Sequence, residues 1–214
     1  MRVNYTNSLH ELNTFMADMG SLIEDAIKET EKIIGTDNVE AGKNIIRSDD
    51  IIDQKEKDIE SLCLKLILKQ QPVASDLRLI TSALKMVTDM ERIGDHAGDI
   101  AELIIQMNSN DKYTDELNII RKMSTQVIKM IHESIEAYTN RDYSKAKDVI
   151  AGDDVVDDLF DEVKNAIINR IKNDSTEGEE CVDILLTAKY YERIGDHATN
   201  IAEWVIFSLT GHLS

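Results

Sequence analysis

The heptapeptide Glu91-Arg92-Ile93-Gly94-Asp95-His96-Ala97 recurs unchanged as Glu192-Arg193-Ile194-Gly195-Asp196-His197-Ala198. Repeated identity of this kind marks two copies of one structural unit. The copied residues are carboxylates, an arginine and a histidine, which packing alone would not select. On an α-helix, residues four apart differ by about 40° in azimuth, so Glu91, Asp95 and Asp99 form one row, and Glu192, Asp196 and Asn200 form its counterpart. Like charges at this spacing repel, which favours a cation or a facing basic group as their complement.

A second repeated motif lies upstream. Asp49-Asp50-Ile51-Ile52-Asp53 matches Asp153-Asp154-Val155-Val156-Asp157, again with D-x-x-x-D spacing. An antiparallel hairpin brings Asp49 and Asp53 beside the Glu91 row, and Asp153 and Asp157 beside the Glu192 row. Facing carboxylate rows make an all-oxygen site suited to Mg²⁺, Ca²⁺, Mn²⁺ or iron, and long enough to bridge more than one ion. A lone D-x-x-x-D is ordinarily a solvated helix face, but four of them duplicated in register point to a shared task. His96 lies about 100° from Asp95 around the helix, as His197 does from Asp196, so packing or hydrogen bonding is expected of the histidines rather than ligation. The same geometry departs from the Glu-x-x-His pairs of di-iron bundles. Gly94 and Gly195 cost about 1 kcal/mol relative to alanine inside a helix, and close helix approach is the expected reason.

The elements that must position these rows are legible as helices. One proline, nine glycines and 5% aromatics suit an all-α chain. Apolar residues at three- and four-residue spacing run from Leu9, with Ser8 as the expected N-cap, to Ile27. They resume from Ile45 to Ile67 after the turn cluster Gly35-Thr36-Asp37-Asn38, and again from Leu77 to Ile100 after Pro72. Segments of about 112–140, 142–173 and 177–210 follow. The polar run Asn108-Ser109-Asn110-Asp111 is the expected boundary between two three-helix bundles, residues 1–109 and 110–214, each large enough for a core. Six long antiparallel helices in two tandem bundles result.

Composition narrows the function classes. A net charge of −17 disfavours nucleic acid and anionic membrane surfaces as direct partners. Cys63 and Cys181 make no C-x-x-C pair, no apolar signal segment opens the chain, and no run approaches the roughly 20 apolar residues that span a bilayer. A cytoplasmic location is expected. No phosphate loop, nucleophile elbow or catalytic Cys/His spacing occurs, so an enzyme is not indicated. The residues alone leave open a carboxylate-bridged metal hydrolase of phosphorylated small molecules and a metal-free bundle that binds a basic partner.

Gln71-Pro72-Val73-Ala74-Ser75-Asp76-Leu77-Arg78, the two E-R-I-G-D-H-A segments and Asn200-Ile201-Ala202-Glu203-Trp204 closely resemble the PhoU family, regulators of bacterial phosphate uptake. The resemblance spans nearly the whole chain. It implies two three-helix bundles with acidic E(D)-x-x-x-D surfaces that in some relatives hold iron or zinc. The matching positions are Asp49, Asp53, Glu91, Asp95, Asp99, Asp153, Asp157, Glu192, Asp196 and Asn200, with manganese or magnesium as further metals. It also implies a non-enzymatic, homodimeric negative regulator, joined to the membrane only through partners: the ATPase of the phosphate ABC transporter and the sensor histidine kinase of the phosphate-starvation response.

Overall fold

The structure, a computed structural model, describes residues 2–70, 72–107, 113–174, 176 and 178–212. Among these, six helices account for nearly the whole chain: α1 Arg2–Ile33, α2 Val39–Gln70, α3 Ala74–Gln106, α4 Thr114–Asn140, α5 Tyr143–Asn173 and α6 Gly178–Thr210. The expected boundary at residues 108–111 lies outside the described residues, as do Gln71 and Ser175. The first helix begins at Arg2 rather than after Ser8. A serine caps only where the chain stops being helical, and residues 2–7 contain no Gly or Pro to stop it.

Local chemistry sets the ends. Gly35, at φ 71°, turns the chain out of α1, and Asn38 Oδ1 accepts from the Ala41 amide at 3.1 Å to cap α2. Arg141 takes the left-handed conformation at φ 55°, and Asp142 Oδ1 then caps α5 by accepting from the Lys145 amide at 3.0 Å.

Helices α1, α2 and α3 pack together, as do α4, α5 and α6, while α3 meets α6 and α1 meets α4. The neighbour order α2–α3–α6–α5 is therefore a four-helix layer, with α1 and α4 against its inner face. Buried residues of both repeats form one connected core. α5 buries only the stripe Ala146, Val149, Val156, Val163 and Ile167, whereas α6, touching three helices, buries residues from Cys181 to Ser208. Polar bonds cross between the bundles as well: Thr30 Oγ1 lies 2.8 Å from the hydroxyl of fully buried Tyr191, and Arg121 donates to the Ile34 carbonyl at 2.7 Å. Because Thr30 donates its own proton to the Ile27 carbonyl, Tyr191 is the donor in that pair. Tyr191→Phe is expected to lower stability by about 1 kcal/mol in a denaturant titration, since only one buried bond is lost. Among the described residues no helix is long and apolar enough to cross a membrane.

Candidate metal seams

The repeated motifs occupy the two central helices of the layer. On α3, Met90, Ile93, Ala97 and Ile100 are buried and aim inward, while Arg92, Asp95 and Asp99, on the opposite side of the wheel, stay partly exposed. The same pattern in α6 buries Ile194, Ala198 and Ile201. Both acidic rows thus open on one face of the layer, away from α1 and α4. The α2/α3 seam carries one, the α5/α6 seam the other.

Glycine lets the facing carboxylates in. A Cβ on Gly94 would lie 2.9 Å from Ile52 Cδ1 and 3.3 Å from Asp49 Oδ1, and one on Gly195 would lie 2.9 Å from Asp153 Oδ1. Asp49 and Asp153 fill these notches. In the first seam, Asp49, Asp53 and Asp95 each place a ligand oxygen within 4.8 Å of the others. Asp99 lines the same groove with Ile46, Gly98 and Glu102, and Glu91 lies under Arg92, whose Nε is 3.4 Å from Glu91 Oε2 and whose Nη1 donates to Asp95 Oδ2 at 2.7 Å.

The second seam holds Asp153, Asp157, Glu192 and Asp196 with Lys189, whose Nζ donates to Glu192 Oε1 at 2.5 Å. Asn200 turns its amide across the layer to Asp89 Oδ1 at 3.1 Å. The described residues include no second triple as tight as the first.

The electrostatics of both seams are those of crowded, desolvated anions. Burial, then Asp95 and Asp53, pushes the Asp49 carboxyl up to about 6. Burial and Asp95 push Glu91 up to about 6, and burial with Asp196 does the same to Asp153. Asp157 and Asp196 are raised by burial and by Glu192. Asp49 Oδ1 and Asp153 Oδ1 are shielded from solvent and have no hydrogen-bond donor in the protein. A buried carboxylate oxygen without a donor is costly, and these two occupy equivalent places in the repeats. Hard divalent cations satisfy that donor set with oxygen ligands alone, so the residues fit such an ion.

The histidines lie where the helical wheel sends them, between α3 and α6. Their ring centroids are 5.6 Å apart. His197 Nδ1 meets Asp89 Oδ1 at 2.8 Å, and His96 Nδ1 meets Asp99 Oδ2 at 3.2 Å with Tyr190 packed on its ring at 5.3 Å. Burial holds His96 below its usual value. Burial and the nearby Asp99 carboxylate raise the Tyr190 hydroxyl above its usual value. Asp89, Tyr190 and Lys189 were not singled out by sequence pattern. Asp89 lies 108 residues from its histidine, but aligning the repeats pairs Asp89 with Tyr190 and Thr88 with Lys189, and that register is the signal that finds them.

Two acidic seams on one face of a duplicated layer of helices define a tandem-repeat, all-helical class of protein. The model of the PhoU domain matches the chain twice, at residues 16–104 and 120–205, and the chain belongs to the PhoU family. It is 38% identical over 208 residues to a phosphate-specific transport system accessory protein PhoU homolog of Clostridium acetobutylicum, covering 97% of this chain and 94% of the relative. The crystal structure of PhoU from Pseudomonas aeruginosa superposes with a TM-score of 0.92 at 30% identity, over 97% of this chain and 100% of that one. That of the phosphate transport system regulatory protein PhoU from Streptococcus pneumoniae gives 0.91 at 25% identity, over 98% and 99%.

Proposed function

We propose that this protein is a negative regulator of phosphate uptake and of the phosphate-starvation response, a cytoplasmic homodimeric adaptor between the ATPase of a phosphate ABC transporter and a membrane sensor histidine kinase. Its relatives are named as phosphate transport accessory and regulatory proteins, which supports the phosphate half of that reading. The observation that carries the rest is the pair of equivalent, donorless carboxylate oxygens at Asp49 and Asp153. They turn two acidic rows into two sites that call for a cation.

In this reading Asp49, Asp53, Glu91, Asp95 and Asp99 hold metal in the first seam. Asp153, Asp157, Glu192, Asp196 and Asn200 hold it in the second, with iron or zinc preferred over manganese or magnesium. The bound cation offsets the repulsion within each row and fixes the spacing of α2 from α3 and of α5 from α6. It supplies charge balance and rigidity to the face that meets the partners, so the protein acts by contact and not by turnover.

Deleting the gene is expected to derepress phosphate-starvation genes at high phosphate, and the unaltered gene to restore repression. An Asp95→Ala, Asp196→Ala double variant is expected to lose metal in elemental analysis and to restore repression poorly. Unchanged uptake and gene expression after deletion would remove the regulatory reading. A double variant that keeps its metal would remove the ligand assignment.

A further inference from the structure

Aligning the repeats by their acidic rows shows a coordinated exchange on neighbouring helices. Where the first repeat has Glu56 on α2 and Thr88 on α3, the second has Phe160 on α5 and Lys189 on α6. Thr88 hydrogen-bonds within its own helix, to the Leu84 carbonyl. Lys189 instead extends into the seam: its ammonium lies 2.5 Å from Glu192 and 5.2 Å from the centroid of the Phe160 ring. Ring and carboxylate together hold it in place. At a further position the exchange runs the same way, Asp99 in the first seam against Asn200 in the second.

The first seam has cations of its own in Arg92 and Lys57, but they are placed differently: Lys57 is 62% exposed, with its Nζ 3.6 Å from Asp53 Oδ2. Arg92 is 53% exposed and hydrogen-bonds one oxygen of Asp95, and Asp49, Asp53 and Asp95 still converge beside it. The counterpart of Arg92, Arg193, lies over the Tyr190 ring at 5.7 Å. One seam therefore keeps its cations at an exposed rim, while the other has an ammonium pinned between a carboxylate and an aromatic ring.

We propose that the two seams are inequivalent cation sites, in which Lys189 is the built-in counter-ion of the α5/α6 seam and must be displaced before a divalent ion enters, so that the α2/α3 seam loads first. This rests on the reading that both seams take metal. It makes the second seam responsive only at higher metal supply, a graded response from a duplicated fold.

The test is an equilibrium titration of the full chain with Mn²⁺, free ion being read by electron paramagnetic resonance. Two classes of site are expected, separated by roughly tenfold or more in affinity, given a unit charge within a few ångströms of the incoming ion. Asp49→Asn should abolish the tight class and Asp153→Asn the weak one. Lys189→Thr, which installs the first repeat's residue, should bring the classes within about threefold. Thr88→Lys, the reciprocal change, should weaken the tight class. A single class in the unaltered protein, or a separation that survives both exchanges, overturns the inequivalence while leaving metal binding intact. Absence of any Mn²⁺ binding overturns both.

Discussion

Metal-free protein is expected to lose stability as pH rises from about 4 to about 6, and an Asp49→Asn, Asp153→Asn variant to lose much less. Asp49 and Asp153 are lifted from 3.8 to about 6 and Glu91 from 4.5 to about 6, chiefly by burial among other carboxylates. Groups raised in the folded state bind more protons folded than unfolded. Their contribution is therefore present below the unfolded value and lost as pH climbs through the folded one. Each of these carboxylates is partly solvated, which reduces its effect to about 1 kcal/mol, or roughly 3 kcal/mol for the three. That corresponds to a fall of about 5–10 °C in melting temperature across the interval, read by thermal denaturation in chelator. Adding a divalent ion at pH 7 should reverse the loss in the unaltered protein, by about 2.7 kcal/mol at a hundredfold excess over the dissociation constant. The neutralised variant should gain stability without metal and nothing from it.

Gly94→Val combined with Gly195→Val is expected to be the most damaging small change in either seam. Even a bare Cβ would sit 2.9 Å from Ile52 Cδ1 at the first site and 2.9 Å from Asp153 Oδ1 at the second. Valine adds two further methyl groups at each. Overpacking of this kind costs about 1–3 kcal/mol per site, and valine recovers only part of the propensity deficit of glycine. A combined loss of about 3 kcal/mol and roughly 10 °C in melting temperature follows. Alanine separates the two effects. At Gly94 the flexible end of Ile52 can shift, so the propensity gain of about 1 kcal/mol offsets the clash. At Gly195 the obstructing atom is the carboxylate itself, so Gly195→Ala should leave stability almost unchanged yet weaken metal binding in the second seam.

The fold was legible because long helices advertise themselves: apolar spacing, Pro72 and the Gly35 turn locate most of the helix ends in the first repeat. The glycine notches were legible for the same reason, since a costly residue repeated in a helix implies close approach. How the bundles join was not. The α3/α6 contact brings together His96, His197, Asp89 and Tyr190, residues about a hundred positions apart that the repeat register relates but helical periodicity does not. Equal treatment of the two acidic rows was a further limit of motif reading, because D-x-x-x-D spacing is blind to a lysine that enters from three residues upstream of Glu192. The start of α1 at Arg2 shows the same thing on a smaller scale: six residues without an apolar stripe gave no helical signal, although nothing in them opposes a helix.

Elemental analysis of the full chain purified without chelator tests the central claim most directly. At least about one iron or zinc ion per chain is expected, falling to background in the Asp49→Asn, Asp153→Asn variant while its helical content is retained. A content well below one metal per chain that does not rise on adding iron, zinc or manganese would contradict it.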